Sequence, residues 1–255
     1  MKIKPTHVRP GGPKSRYGYK ELNDLIARMI GDEKHLDAAL STTDVLWVLY
    51  DRILRVTPSM REDRDRFYLS KGHGPQAYYA VLAAKGFIEP ELLELFGGYK
   101  SPLGVHPDRM LIPGVEISSG SLGHGLPLAV GTALGLRIRS ISSAGVWVLL
   151  GDGELDEGSN HEAIAYAGRS GLENLVAVVV DNQSATQGWP GGIEARFAVE
   201  QWSTARVDGR DHTALESAFR ASHPGVPRLV VADIRPDTPR PFDKEHHAGE
   251  GSWPG

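Results

Sequence analysis

Two stretches of the chain are apolar at every position: Val146-Trp147-Val148-Leu149-Leu150, and Leu175 through Val180. Unbroken apolar runs of this length predict strands covered on both faces. Between them, residues 160–170 have the composition and length of a helix. Strand, helix and strand make a βαβ unit, so a parallel sheet is expected. The small apolar stretch Leu126 to Arg139 predicts a helix packed tightly on a neighbour. Further helices are expected over Tyr19–Ile30 (Leu22, Leu25, Ile26, Met29), Thr43–Leu54, Ala77–Lys85 and Thr213–Ala221. Phe67 to Ser70 predicts a short buried strand that enters a glycine turn, Gly72-His73-Gly74. A last strand is expected over Arg228–Ile234. The fold class is α/β, an open parallel sheet with helices on both faces. The expected organisation is an arm over 1–18, a ligand-binding domain over 19–235 and an irregular tail over 236–255. Residues 97–125 are rich in Gly, Pro and Ser, and long irregular stretches inside compact domains are often functional.

Composition narrows the function classes. The 255 residues carry a formal charge of −4 and have ample length for an independent core. Mild acidity argues against a nucleic-acid partner. Lys14, Arg16 and Lys20 read as a solvated basic face. There is no cysteine, which removes disulfides, thiolate metal sites and cysteine nucleophiles. No apolar stretch approaches the roughly 20 residues of a membrane span, and Met1-Lys2-Ile3-Lys4-Pro5 leads into no apolar signal core. No membrane association and a cytoplasmic location are expected.

The chemistry gathers where the two strongest strands end. Gly151-Asp152-Gly153 follows the first, leading to Glu157-Gly158; Asp181-Asn182-Gln183-Ser184 follows the second. Ligands of open parallel sheets bind at the strands' carboxyl ends. Glycines allow a close backbone approach to an anion, and their N–H groups can face a phosphate. The Asp152 carboxylate and the Asn182 amide are hard oxygen donors of the kind Mg²⁺ or Ca²⁺ accepts. Each cluster alone also reads as a plain turn or a helix cap; on consecutive strands of one βαβ unit they read as a metal–phosphate site.

Those residues resemble the thiamine-diphosphate motif, which opens Gly-Asp-Gly and closes at Asn about thirty positions later. The stretch GDGELDEGSNHEAIAYAG (151–168) resembles its transketolase version, including Glu157-Gly158 and His161-Glu162. Three more blocks agree: DRFYLSKGHG (65–74), GVHP (104–107) and PGVEISSGSLGHG (113–125). Transketolases are much longer, and this chain resembles only their first, diphosphate-binding domain. The resemblance implies the N-terminal subunit of a split transketolase whose other half, with the pyrimidine-binding domain, is a separate chain.

The resemblance also implies roles. Asp152 and Asn182 match the metal-binding side chains, and Ser184 the position whose carbonyl completes the set. Gly151 opens the motif, and Gly153 matches the glycine whose N–H meets the diphosphate. His73 matches a histidine near the diphosphate and His106 one that faces substrate; each also reads, without the family, as an ordinary turn or surface histidine. Gly120, Ser121 and Leu122 match the loop beside the aminopyrimidine. Glu157 matches an acid at the subunit interface. His124, His161 and His212 read as structural.

The sequence departs from the family where Gly-His-Pro-Gly is usual: it has Lys34-His35-Leu36-Asp37, so His35 keeps the candidate catalytic histidine without its frame. Gly209-Arg210-Asp211 replaces Gly-His-Asp. The family's late histidine has no secure counterpart, with His246 and His247 as candidates. The implied reaction transfers a two-carbon ketol unit from a ketose to an aldehyde, with His73, His106 and His35 as catalytic candidates. Two alternatives share the motif: the α subunit of a 2-oxo-acid dehydrogenase or acetoin-type enzyme, and a non-catalytic interaction subunit.

Overall fold

The computed structural model describes residues 17–31, 36–56, 61–185 and 188–234. Most of the expected arm, the whole expected tail, His35, His246 and His247 lie outside the described residues.

Five strands form one sheet: β1 Arg66–Leu69, β2 Val146–Gly151, β3 Leu175–Asp181, β4 Ser203–Asp208 and β5 Arg228–Asp233. Their order is β1-β2-β3-β5-β4, and every pairing is parallel. Period-two alternation divides each central strand between two cores. Trp147 and Leu149 of β2, with Val176, Val178 and Val180 of β3, face one core. Val146, Val148 and Leu150, with Leu175, Ala177 and Val179, face the other. Helices α1 Leu22–Ala27, α3 Thr43–Val48, α4 Gln76–Ala84 and α8 His212–Arg220 cover the first face. Helices α5 Gly125–Ile138, α6 Gly158–Arg169 and α7 Ile193–Ala198 cover the second. Each large side chain fully buried this way contributes about 1.5–3 kcal/mol.

The expected elements are present with differences that have local causes. The region 19–30 splits into a 3-10 turn at Tyr19–Glu21 and α1, which stops at Ala27. The stretch 43–54 is α-helical only to Val48; a π turn follows over Leu49–Ile53, closed by Leu54 N–H donating to the Leu49 carbonyl at 2.8 Å. The widened turn keeps Tyr50 inward, its hydroxyl 3.0 Å from that of Tyr78 and its ring edge-on to Phe67. Helix α2 Leu36–Leu40, a 3-10 turn at Pro90–Leu95, α7 and β4 were not expected.

Register sets the site. Leu69 pairs with Leu149, so β1 ends beside β2 one residue before Ser70. Gly151 pairs with Val180, which brings Asp152 and Asp181 to one rim.

Candidate functional site

The Gly151-Asp152-Gly153 turn leaves β2 as a short 3-10 turn, Gly153–Asp156. Asp152 is only 2% exposed. Its Oδ1 accepts from Ser184 Oγ at 2.5 Å, and its Oδ2 from the Ala185 N–H at 2.9 Å. The Gly-Asp and Asp-Asn clusters are therefore in direct contact. Gln183 sits at φ +60° and reverses the chain after β3, while its N–H donates to Asp181 Oδ1 at 3.3 Å. That reversal returns Ser184 to Asp152. Asn182 is half-buried.

Neither Gly151 nor Gly153 has a positive φ. A Cβ at Gly151 would meet only the Lys71 stem at 3.7 Å, and one at Gly153 would meet Ser184 Oγ at 3.5 Å and its carbonyl at 3.6 Å. Those are ordinary contacts, so neither backbone conformation nor crowding by the chain demands glycine here. The missing side chains leave an open cradle beside a buried carboxylate, which fits the approach of a phosphate. Among the described residues no three His, Cys, Asp or Glu side chains form a metal cage. One carboxylate, one amide and one carbonyl instead suit Mg²⁺, which completes its octahedron with water and phosphate oxygens.

The glycine turn after β1 packs on the same rim. Gly74 has φ +73°, and a Cβ there would come 2.5 Å from the Ala39 nitrogen of α2, so only glycine allows this approach. Lys71 runs past Gly151, and its ammonium donates to the Ala38 carbonyl and to Ser41 Oγ at 3.3 Å. Burial lowers its pKa to about 8, opposed by the nearby Asp152 and Glu154 carboxylates. The rings of His73 and His106 stack with centroids 6.3 Å apart. Gly120, at φ +114°, lies over the His106 ring, 2.9 Å from a built Cβ. The Nδ1 of His106 is buried and accepts or donates no hydrogen bond among the described residues. Ser121 Oγ contacts His124 Nδ1 at 3.0 Å, and Leu122 lies against Gly72. Glu157 is exposed beside Gly123.

The structure thus brings together His73, His106, Gly120, Leu122, Gly151, Asp152, Gly153 and Ser184. It also adds residues the sequence did not single out. Glu154 is 4% exposed; burial raises its pKa, against the opposing hydrogen bonds from Ser70, Gly123 and Gly151. Arg206 of β4 bridges Asp181 at 2.8 Å, Glu194 at 2.5 Å and Asp233 at 3.3 Å. Hydrogen bonding to Glu194 and Asp181 raises the Arg206 pKa, and the Glu194 pKa falls in turn. Trp189 stacks on His161 at 5.1 Å and leaves its buried Nε1 without a partner among the described residues. Asp152, Trp189 and Arg206 line a cavity of about 240 Å³. A larger cleft, about 520 Å³, lies at the opposite end of the strands, lined by Gly145, Asn174 and His223 among others. None of the candidate site residues reaches it, so size does not mark the site here.

Residues 27–251 match the family model for the transketolase thiamine diphosphate binding domain. A protein named Ferredoxin fas2, from Rhodococcoides fascians, is 55% identical over 222 residues, covering 86% of this chain and 73% of that one. These 255 residues hold no cysteine, so they carry none of the thiolates that bind iron–sulfur clusters. One chain of the apulose-4-phosphate transketolase from Actinobacillus succinogenes, named as a subunit of that enzyme, is 35% identical over 208 residues, 78% of this chain and 75% of that one. Among solved structures, a transketolase from Pichia stipitis in complex with sedoheptulose-7-phosphate superposes with a TM-score of 0.73 at 26% identity, over 84% of this chain. The chain spans only 36% of that enzyme's length. The matched family and the matched fold are those of transketolases, so neither the 2-oxo-acid dehydrogenase reading nor the non-catalytic reading is favoured. The chain belongs to the transketolase family and is built as its thiamine-diphosphate-binding domain.

Proposed function

We propose that this chain is the cofactor-holding half of a two-chain transketolase, active only with a partner that carries the pyrimidine-binding domain. The observation that supports this best is the convergence of the β1, β2 and β3 ends on a buried Asp152 beside a glycine cradle. The Actinobacillus succinogenes relative, of similar length and named as one subunit of its enzyme, supports the two-chain reading. A heterotetramer of two such chains with two partners is the assembly we favour.

Within the chain, Asp152, Asn182 and the Ser184 carbonyl would hold Mg²⁺, or Ca²⁺ in its place. The Gly153 N–H and the His73 imidazole would orient the diphosphate. Gly120, Ser121 and Leu122 would flank the ring end of the cofactor. Thiamine diphosphate, when bound, would supply the nucleophilic carbon needed for transfer of a two-carbon ketol unit from a ketose to an aldehyde. The chain's own contribution is to bind, orient and exclude water. His106 would meet substrate hydroxyls through its imidazole and carry a proton there. His35 would be a second such contact, and Glu157 would face the partner chain.

Calorimetric titration with thiamine diphosphate and Mg²⁺, with and without the partner chain, tests this reading. Metal-dependent heat is expected from the chain itself, and turnover only in the assembled enzyme. Ketol-transfer turnover by the purified chain alone would sink the two-chain reading.

A further inference from the structure

Glu154 is a buried acid with no part in the cofactor contacts proposed above. Its Oε1 accepts from Ser70 Oγ at 2.5 Å and from the Gly123 N–H at 2.9 Å. Its Oε2 faces the Gly151 N–H at 3.4 Å. Ser70 Oγ in turn accepts from the Gly125 N–H at 3.0 Å. One carboxylate therefore gathers the end of β1, the loop that enters α5 and the end of β2. The acid is fixed in place itself, since Asn160 Nδ2 donates to its carbonyl at 2.7 Å.

The loop is held from its other side too. The Gly123 carbonyl accepts from Ser159 Oγ at 2.7 Å. Gly123 has φ +79°, and a Cβ there would come 2.5 Å from the Glu157 Cβ. A Cβ on Gly125 would come 2.2 Å from Ser70. These approaches seat Gly123 directly on Glu157 and Gly125 directly on Ser70. Burying a carboxylate is costly unless its hydrogen bonds are met, and this one is placed where they fix two ligand-facing loops at one spacing.

We propose that Glu154 is a positioning residue: it locks the 120–123 loop to the 151–153 turn and so sets the distance between the ring side and the diphosphate side of the cofactor seat. The cofactor part rests on the function proposed above; the clamp itself does not.

Amide hydrogen exchange on the purified chain reads the clamp without any cofactor. Glu154→Ala should speed exchange at Gly123 by about tenfold or more, the scale of a lost hydrogen bond to a charged group. Glu154→Gln, whose amide oxygen can replace Oε1, should stay within about threefold of wild type. In the assembled two-chain enzyme, Glu154→Ala should raise the half-saturating thiamine diphosphate concentration by about tenfold, with kcat at saturation nearly kept, and Gln should rescue it. Should Glu154→Ala fail to fold, Ser70→Ala, which keeps the carboxylate but cuts its link to Gly125, should show the same direction at smaller size. Unchanged exchange at Gly123 overturns the clamp. Faster exchange with an unmoved half-saturation, or a fall in kcat that Gln does not rescue, overturns its role in seating the cofactor.

Discussion

Asp152→Asn separates the cost of the site to the chain from its use to a ligand. The substitution keeps size and removes the charge. In the free chain the amide oxygen can accept from the Ala185 N–H while the amide NH₂ donates to Ser184 Oγ, whose hydroxyl turns to accept. No buried group need be left unmet, and the burial of a charge is relieved, so stability should change by less than about 2 kcal/mol. Ligand binding should change far more, because Asp152 is the only carboxylate in the proposed donor set. Loss of an outer partner of a metal site costs about 10–100-fold in affinity, so a direct ligand should cost at least about 100-fold. The assay is thermal unfolding with and without Mg²⁺ and thiamine diphosphate at about 100 times the wild-type Kd. Binding then stabilises wild type by about 2.7 kcal/mol, or about 5–10 °C for a chain of this size. The variant, with ligand only near its own Kd, should gain about 0.4 kcal/mol and shift by about 1–2 °C. Equal shifts in the two proteins would refute the placement of the metal on Asp152. No shift in either would refute the claim that this chain holds the diphosphate end.

Further outcomes are expected at sites outside the metal ligands. His106→Ala in the assembled enzyme should lower turnover by about 100-fold or more while the half-saturating cofactor concentration holds, as steady-state kinetics would report. Gly168→Ala should destabilise the chain by more than about 2 kcal/mol in a denaturant melt, because its Cβ would fall 1.6 Å from the Glu200 carbonyl oxygen. Gly131→Ala, in a helix with nothing within 4 Å of its Cβ, should stabilise by about 0.5–1 kcal/mol. Burial raises the Glu116 pKa above 4.5 despite the Arg64 guanidinium 2.8 Å away. A raised folded pKa means that the native state holds the proton longer, so this contribution is greatest below about pH 4.5 and is lost as pH rises through the folded value. The stability of Glu116→Gln relative to wild type should therefore climb over that window in pH-dependent melts, and a pH-independent difference would count against the buried acid.

Legibility in the sequence followed burial. The strands β2 and β3 are covered on both faces, so every position had to be apolar and the runs stood out. The edge strand β4, Ser203-Thr204-Ala205-Arg206-Val207-Asp208, is half-buried except at the exposed Arg206 and Asp208 and pairs on one side only, so nothing in its composition marked it. Helix α7 is anchored by Ile193 and Phe197 alone, one turn apart between glycines and polar residues. The site shows the same divide. Asp152 and Asn182 stand out as candidates because they follow two strand ends in a one-dimensional pattern, and Ser184 joins them through the family motif. Glu154 was not, because it stands in the acidic run Glu154-Leu155-Asp156-Glu157, where all three acids look alike. The 3-10 turn decides between them: it sends Glu154 and Leu155 inward and leaves Asp156 and Glu157 in solvent. The inward acid then meets donors from residues 70 and 123, 84 and 31 positions away. A contact of that range leaves no local trace in composition or period; it exists only once β1 and β2 are paired. The residues proposed to touch a ligand are thus read from a motif, whereas the residue proposed to set the spacing between them belongs to the tertiary fold.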